Sequence, residues 1–248
     1  MANNQKQPII SFKDVDLAFG KKKVLEGLSF DIYPGEIVSI AGPSGSGKST
    51  ILKLVTRLIE PDSGEVIIRA ERIGMAFQYA ALFNSMTVWK NIALSLQETT
   101  NLSSDEIDKR VDEALKIVKL EHTKEMYPGE LSGGMQKRIS IARALALHPG
   151  ILLYDEPSTG LDPATAYKLE EDMVELRDQI GVTSVIVTHD IDTIKHITER
   201  VFILDNGHIV WQGTNEQFKT EKSAYPCSFR ERKTLEACRK QYGEEEDQ

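Results

Sequence analysis

The chain has 248 residues, a formal net charge of −8, 40% hydrophobic and 27% charged residues, and two cysteines. Such a length suffices for one α/β domain with a full core. The acidic balance argues against nonspecific DNA or RNA binding, which needs clustered lysine and arginine. No apolar run approaches the roughly 20 residues that span a bilayer, and the polar start Met1 to Pro8 lacks a signal-peptide core, so an intracellular chain is expected.

From Ile9 to Ile32, alternation at Val15-Asp16-Leu17 and Phe30-Asp31-Ile32 predicts half-exposed antiparallel strands. Lys21-Lys22-Lys23 reads as a solvated turn, with a weak phosphate role as the alternative. Pro34-Gly35 turns the chain into the apolar run Ile37 to Ala41, which suits a buried strand of a parallel sheet. A glycine-rich loop follows, then an amphipathic helix with Ile51, Leu52, Leu54, Val55 and Leu58 on its apolar face, closed by Pro61-Asp62-Ser63-Gly64. A strand over Gly74 to Phe77 leads into Gln78 and a helical section. There Ser103 and Glu106 form a capping box, and Ile107, Val111, Ala114, Leu115 and Val118 recur at helical spacing.

Tyr127-Pro128-Gly129 breaks the chain before Ser132-Gly133-Gly134. Ile151 to Tyr154 and Thr183 to Thr188 read as buried strands. Between them lies a helix capped by Asp162, with Pro163 at its first position and Gly181 as its stop. Val201 to Asp205, Asn206-Gly207 and His208 to Gln212 read as a hairpin with a primed turn. From about Lys219 the chain reads as a polar tail with one short helix near Phe229 to Gln241, ending in Glu244-Glu245-Glu246-Asp247. Cys227 and Cys238 lack CxxC spacing and read as incidental free thiols.

Two segments carry chemistry. Gly42-Pro43-Ser44-Gly45-Ser46-Gly47-Lys48-Ser49 matches GxxxxGK[ST] in full, between an apolar strand and an amphipathic helix. Its glycines let several backbone N–H groups aim at one point, and the helix adds the positive end of its dipole. Lys48 can reach the β- and γ-phosphates of a nucleotide, and the Ser49 hydroxyl can ligate Mg²⁺. The strand Ile151 to Tyr154 ends in Asp155 and Glu156, at the carboxyl edge where α/β proteins place ligands. Asp155 suits the Mg²⁺ shell and Glu156 the polarisation of an attacking water. Their alternation along a strand points them in different directions.

Jointly, Gly42 to Ser49, Gln78, Leu131-Ser132-Gly133-Gly134-Met135-Gln136, Asp155-Glu156, Ser158-Thr159-Gly160-Leu161-Asp162 and His189 resemble the nucleotide-binding subunit of an ABC transporter, from Ile9 to Phe218. The resemblance implies an α/β fold: a P-loop NTPase of ABC type, with a mostly parallel sheet core, an antiparallel β subdomain and a helical subdomain. It implies an ATPase domain over 8–218, a helical insertion at about 79–148, and a tail over 219–248 that either contacts a partner or is disordered. The implied cofactors are ATP and Mg²⁺. Phe19, with Val24 beside it, would stack on adenine, and Gly42, Ser44, Gly45, Ser46, Gly47, Lys48, Ser49 and Thr50 would hold phosphates. Ser49, Gln78 and Asp155 would serve the metal, and Glu156, His189 and Gln78 the hydrolysis.

Ser132, Gly133, Gly134, Gln136 and Asp162 would close the ATP held by a second copy of the chain in a head-to-tail dimer. The short link from Ser63-Gly64 to Gln78 suggests a trimmed antiparallel lobe. Tyr79 to Ile92 would line the groove for the permease's coupling helix. The wording Phe77 to Val88, with Leu131 to Arg138, is similar to the Mla-type ATPases paired with MCE proteins, which move phospholipid between bacterial membranes. That implies membrane permease subunits, an MCE-domain subunit and a place on the cytoplasmic face of the inner membrane. Import of another solute, or a soluble non-transport ABC ATPase, are the alternatives.

Overall fold

A computed structural model describes residues 7–242. In chain order the elements are β1 (Ile10–Phe19), β2 (Lys22–Ile32), β3 (Ile37–Ala41), α1 (Lys48–Val55), β4 (Ser63–Ile68), β5 (Ile73–Ala76), α2 (Val88–Thr99), α3 (Ser104–Ile117), α4 (Gly133–Leu145), β6 (Ile151–Asp155), α5 (Pro163–Ile180), β7 (Thr183–Thr188), α6 (Ile191–Ile197), β8 (Arg200–Asp205), β9 (His208–Thr214), α7 (Asn215–Thr220), α8 (Ala224–Glu231) and α9 (Leu235–Tyr242). The chain forms two compact units, one made of residues up to Arg69 and from Val187 onward, the other of Ala70–Ile186. Among the described residues no helix is long and apolar enough to cross a membrane.

The first unit carries two sheets. In one, β1 is flanked by β2 and β4, both antiparallel to it. The short link after Gly64 therefore leaves a complete three-stranded lobe, with β4 paired to β1 from Ile68 opposite Ile10 to Ser63 opposite Asp16. Gly64 (φ 81°) is fixed here, because a Cβ would sit 2.2 Å from the Asp14 carbonyl oxygen. The Asp16 carboxylate accepts from the Ser63 hydroxyl at 2.7 Å and the Gly27 amide at 2.8 Å, tying all three strands.

In the other sheet β8 lies between parallel β3 and antiparallel β9. All five residues of β3 are buried, as a strand covered on both faces requires. Phe12 stacks on Phe30 at 4.6 Å, and Phe30 meets Phe202 at 5.2 Å, joining the two layers through aromatic burial. The β8–β9 turn has Asn206 at φ 45° and Gly207 at φ 81°, the primed geometry that Asn-Gly predicts. Helix α1 stops at Val55, so Leu58 leaves the apolar face and is 70% exposed.

Two expectations for the C-terminal region fail. The segment after Lys219 holds two helices, not one. They break at Arg232, which takes a left-handed cap (φ 52°) after α8. The cysteines are not free: Cys227 on α8 and Cys238 on α9 form a disulfide, with Cα atoms 6.0 Å apart and both side chains fully buried beside Ala224, Leu235 and Tyr242. Sequence spacing could not show this, because only the reversal at Arg232 brings the thiols together. α8 itself packs through Tyr225 and Phe229 on the cluster of Ile194, Val201, Ile203, Trp211 and Phe218. Closing so short a loop restricts the unfolded chain by about 3 kcal/mol. Cys227→Ser is therefore expected to speed amide exchange in α9 by up to about 10²-fold while β8 and β9 stay protected. Hydrogen-exchange mass spectrometry of the variant, and of the reduced parent chain, checks it. The acidic end Glu244 to Asp247 lies outside the described residues.

In the second unit β5 and β6 are parallel, Ile73 opposite Ile151 through Ala76 opposite Tyr154, and β7 is the next strand beyond β6. Gly74 lets α4 lie close to β5, since a Cβ there would meet the Ala144 carbonyl oxygen at 2.8 Å. Helix α3 has the full capping box at Ser103 and Glu106, and α5 is capped by Asp162 and stopped by left-handed Gly181. Asp172 on α5 takes an ion pair from Arg138 on α4 at 3.0 Å, which fixes α5 to α4.

Candidate functional site

The phosphate loop lies in the first unit, and its glycines answer to close approach. Gly42 follows fully buried β3, and a Cβ on it would stand 2.2 Å from the Leu204 carbonyl oxygen of β8 and 2.7 Å from Ser46 Oγ. Gly47 caps α1 in a left-handed conformation (φ 109°), with room for a Cβ blocked by Leu25 at 2.9 Å and the Val24 carbonyl at 3.1 Å. Gly45 (φ 81°) meets nothing, so its glycine serves the backbone conformation alone. Lys48 is buried, and its ammonium donates to the carbonyls of Gly42 and Pro43, each at 2.8 Å. The Ser46 hydroxyl is buried and has no hydrogen-bond partner among the described residues, while Ser44, Gly45 and Ser49 are exposed and Thr50 is a buried residue of α1.

His189 follows β7 and is exposed. With Gly42, Pro43, Ile191, Asp205 and residues of α8 it lines a cavity of ≈ 330 Å³. The first unit thus brings His189 to the mouth of the phosphate loop. Phe19 ends β1 and is 52% exposed, and Val24, in the facing strand, is half-buried. An apolar ring left open at a hairpin end is available for stacking.

The second unit holds the remaining candidates. β6 ends at Asp155, and Glu156 leaves the strand at φ 48°, in the left-handed region. Glu156 therefore lies outside the strand, and the strand alternation expected to separate it from Asp155 does not extend to it. A non-glycine residue held at such a φ is strained and persists only where its surroundings dictate it. Thr159 is one such neighbour: its N–H donates to the Glu156 carbonyl at 3.3 Å and its hydroxyl to the Glu156 carboxylate at 3.3 Å.

Ser132 caps α4 by accepting from the Met135 N–H. Gly134 is required by α5, because a Cβ would meet the Thr165 methyl at 2.6 Å. At Gly133 the nearest obstacle is Leu161 at 3.7 Å, an ordinary contact, and the residue is exposed. Nothing in its own unit demands glycine there. Gln136 turns its amide inward, donating to the carbonyls of Pro128 at 2.9 Å and Leu131 at 3.4 Å, so it shapes the turn before Ser132. Asp162 is exposed; the Thr165 hydroxyl and amide hold its carboxyl below the usual range.

Gln78 is half-buried two residues past the end of β5, and the loop it opens contains Ala80 (φ 57°) and Ala81 (φ 48°). Sequence reasoning passed over the two cations that hold this loop. Lys137 on α4 is 8% exposed and donates to the carbonyls of Gln78 and, at 3.4 Å, of Glu156. Arg143 on α4 donates to Ala81 at 2.6 Å and Ala80 at 3.0 Å. Burial pushes both side chains below their usual pKa, and for Lys137 the charges of Glu156 and Asp155 oppose that shift. Farther along, Asn91 gathers the carbonyls of Phe83, Met86 and Thr87, and its own carbonyl accepts from the Phe83 N–H. The loop so fixed exposes Tyr79, Phe83 and Phe77.

A glycine cradle with a buried lysine, an acid pair at a strand end and a capped Ser-Gly-Gly turn occur here in the spacing of one family, whose model, described as ABC transporter, matches residues 25–159. The chain belongs to the ABC transporter family. A curated relative, the chloroplast protein TRIGALACTOSYLDIACYLGLYCEROL 3 of Arabidopsis thaliana, is 39% identical over 91% of this chain and 74% of its own. A sulfate/thiosulfate import ATP-binding protein of Caulobacter vibrioides is 38% identical over 89% of this chain and 69% of its own. Among solved structures, a cbiO1 protein of Clostridium perfringens, described as part of an ABC transporter complex, superposes with a TM-score of 0.80 at 30% identity, covering 90% of this chain and 95% of that one. A dimeric ATP-binding cassette in a post-hydrolysis state, bound to ADP and Pi, superposes with a TM-score of 0.73 at 34% identity, covering 83% and 98%. The fold is that of an ABC ATPase, and the chain is an ATPase whose nucleotide is ATP with Mg²⁺. The glycine cradle of the first unit fits a polyphosphate, and its Ser49 hydroxyl is a hard oxygen donor of the kind Mg²⁺ takes; in the second unit the Asp155 carboxylate and the Gln78 amide oxygen are donors of the same kind.

Proposed function

We propose that the chain is the ATP-hydrolysing subunit of a membrane transporter and works as a pair of copies, the Ser132 turn of one closing over ATP held by the phosphate loop of the other. The observation that carries this is Gly133: it is exposed and unconstrained by its own unit, at the N-terminus of α4, where backbone N–H groups and the helix dipole favour a phosphate. A glycine there matters to a ligand that the α4 unit meets from outside.

In the reaction, Lys48 binds the β- and γ-phosphates. Ser49, Asp155 and Gln78 would hold Mg²⁺, which supplies charge neutralisation between those phosphates. Glu156 orients a water and takes its proton as the water oxygen bonds to the γ-phosphorus and the bond from that phosphorus to ADP breaks. His189, beside the phosphate loop, donates to the departing phosphate. Asp162 and Gln136 shape the turn that meets the second copy, and Phe19 with Val24 receives adenine.

The permease docks on the loop around Tyr79, which is 84% exposed and held rigid by Arg143 and Asn91. On this reading the chain sits on the cytoplasmic face of the cell membrane, held there by its permease. The cargo class best supported is lipid, carried with an MCE-type subunit. The Phe77 to Val88 wording favours it, as does a relative whose name is that of a galactolipid. Import of a small solute is the second reading, favoured by the relative named for sulfate and thiosulfate import. A photo-crosslinker at Tyr79 is expected to capture a polytopic membrane protein. Proteoliposomes of that pair should move labelled phospholipid only with ATP. ATP-driven uptake of sulfate, Fe³⁺ or methionine instead would overturn the lipid reading, and absence of any membrane protein in the crosslink would overturn the permease.

A further inference from the structure

The α4 helix does more than present the Ser132 turn. Beyond that turn it sends two cations into one stretch of backbone: Lys137 to the carbonyls of Gln78 and Glu156, Arg143 to those of Ala80 and Ala81. Glu156, Ala80 and Ala81 are each left-handed without being glycine, so three strained residues have their carbonyls held by the same helix. Strain of that kind survives only when neighbours over-determine it.

Lys137 is the more telling of the two. An ammonium is a poor choice for filling a buried position, because taking it out of water is costly unless it is bonded and offset by opposite charge. Methionine would fill the same space. Both compensations are present, in two backbone carbonyls and in the Asp155 and Glu156 charges. What the ammonium does and a methyl could not is fasten the end of β5 to the end of β6.

We propose that Lys137 is a positioning residue for hydrolysis: one ammonium sets Gln78 and Glu156 in register with each other and with the α4 helix that bears the Ser132 turn. This rests on the reading that Glu156 and Gln78 serve the reaction.

The test is steady-state ATPase of the full chain, with fluorescent-ATP binding measured in parallel, for Lys137→Met, Lys137→Gln and Glu156→Gln. Lys137→Met is expected to lower kcat at least tenfold with KM for ATP changed less than twofold. Lys137→Gln, which keeps a donor but no charge, should restore at least a third of the parent kcat. A kcat within twofold of the parent in Lys137→Met, beside an inactive Glu156→Gln, would overturn the inference alone. Equal losses in the Met and Gln variants with a parallel loss of ATP binding would also overturn it, by showing a merely structural role. Undiminished turnover in Glu156→Gln would instead remove the site reading on which it rests. Should Lys137→Met fail to fold, Lys137→Ala takes its place with the same readouts: a kcat at least tenfold below the parent, at unchanged KM and melting temperature, supports the inference, and a kcat within twofold of the parent sinks it.

Discussion

Glu156→Gln is expected to lower ATP turnover by about 10²- to 10⁴-fold, the range a positioned general base supplies. That corresponds to roughly 3–5 kcal/mol on the barrier at 1.36 kcal/mol per decade. Glutamine has the same shape and meets the left-handed backbone at φ 48° with the same strain, so the fold should tolerate it. Its amide oxygen can still accept from the Thr159 hydroxyl, now at 3.3 Å from the carboxylate, so the neighbouring turn keeps its anchor. What disappears is the negative charge and the ability to take a proton from water. Two effects on ATP then run the same way. Hydrolysis stops draining the bound state, and one carboxylate no longer repels the γ-phosphate. ATP binding should therefore be retained or tightened, and the chain should elute as a dimer in ATP but not in ADP. Turnover within twofold of the parent, or an elution volume unmoved by ATP, would refute the role assigned to this carboxylate.

Most of the elements that carry these groups were legible because their signals are local. The run Ile37 to Ala41, the capping box at Ser103, the Asp162 cap with its Gly181 stop and the Asn206-Gly207 turn each follow from chemistry within a few residues, and each stands where expected. The features that escaped are set by distant segments. Lys137 looks like any solvated helix lysine until β5 and β6 converge on it, 59 and 19 residues away along the chain. The reversal at Glu156 is invisible because glutamate carries no preference for positive φ; the contacts impose it. The Cys227–Cys238 pair and the split of the last helix have one cause, the left-handed break at Arg232, a residue type that signals no turn. At family level the spacing of the motifs was sufficient. The finer likeness to lipid transporters rests on loop wording around Tyr79, and the relatives found with it are named for import of sulfate, Fe³⁺ and methionine as well as for a galactolipid.

Lys48→Ala should weaken ATP binding by about 10²-fold or more. A hydrogen bond to a charged group contributes about 1.5–3 kcal/mol, so two phosphate contacts would suggest roughly 3–6 kcal/mol in all. The net loss is smaller, because without nucleotide the ammonium is already engaged. It donates to the Gly42 and Pro43 carbonyls, and those bonds must be shared or released when phosphate arrives. Even about 2.7 kcal/mol is 10²-fold at 1.4 kcal/mol per decade. The same trade predicts how stability responds. Free of nucleotide, the variant loses a strap across its own loop, and its melting temperature should fall modestly. With ATP at about 100 times the parent Kd, the parent chain gains about 2.7 kcal/mol, whereas a variant bound 10²-fold more weakly gains only about 0.4 kcal/mol. The shift in melting temperature on adding ATP should therefore nearly vanish in Lys48→Ala and in Lys48→Met, which keeps the buried stem and removes only the ammonium. An ATP-induced shift of parental size in Lys48→Met would mean that the ammonium serves the loop and not the phosphates, and the cradle built by Gly42, Gly45 and Gly47 would have to hold nucleotide through its backbone alone.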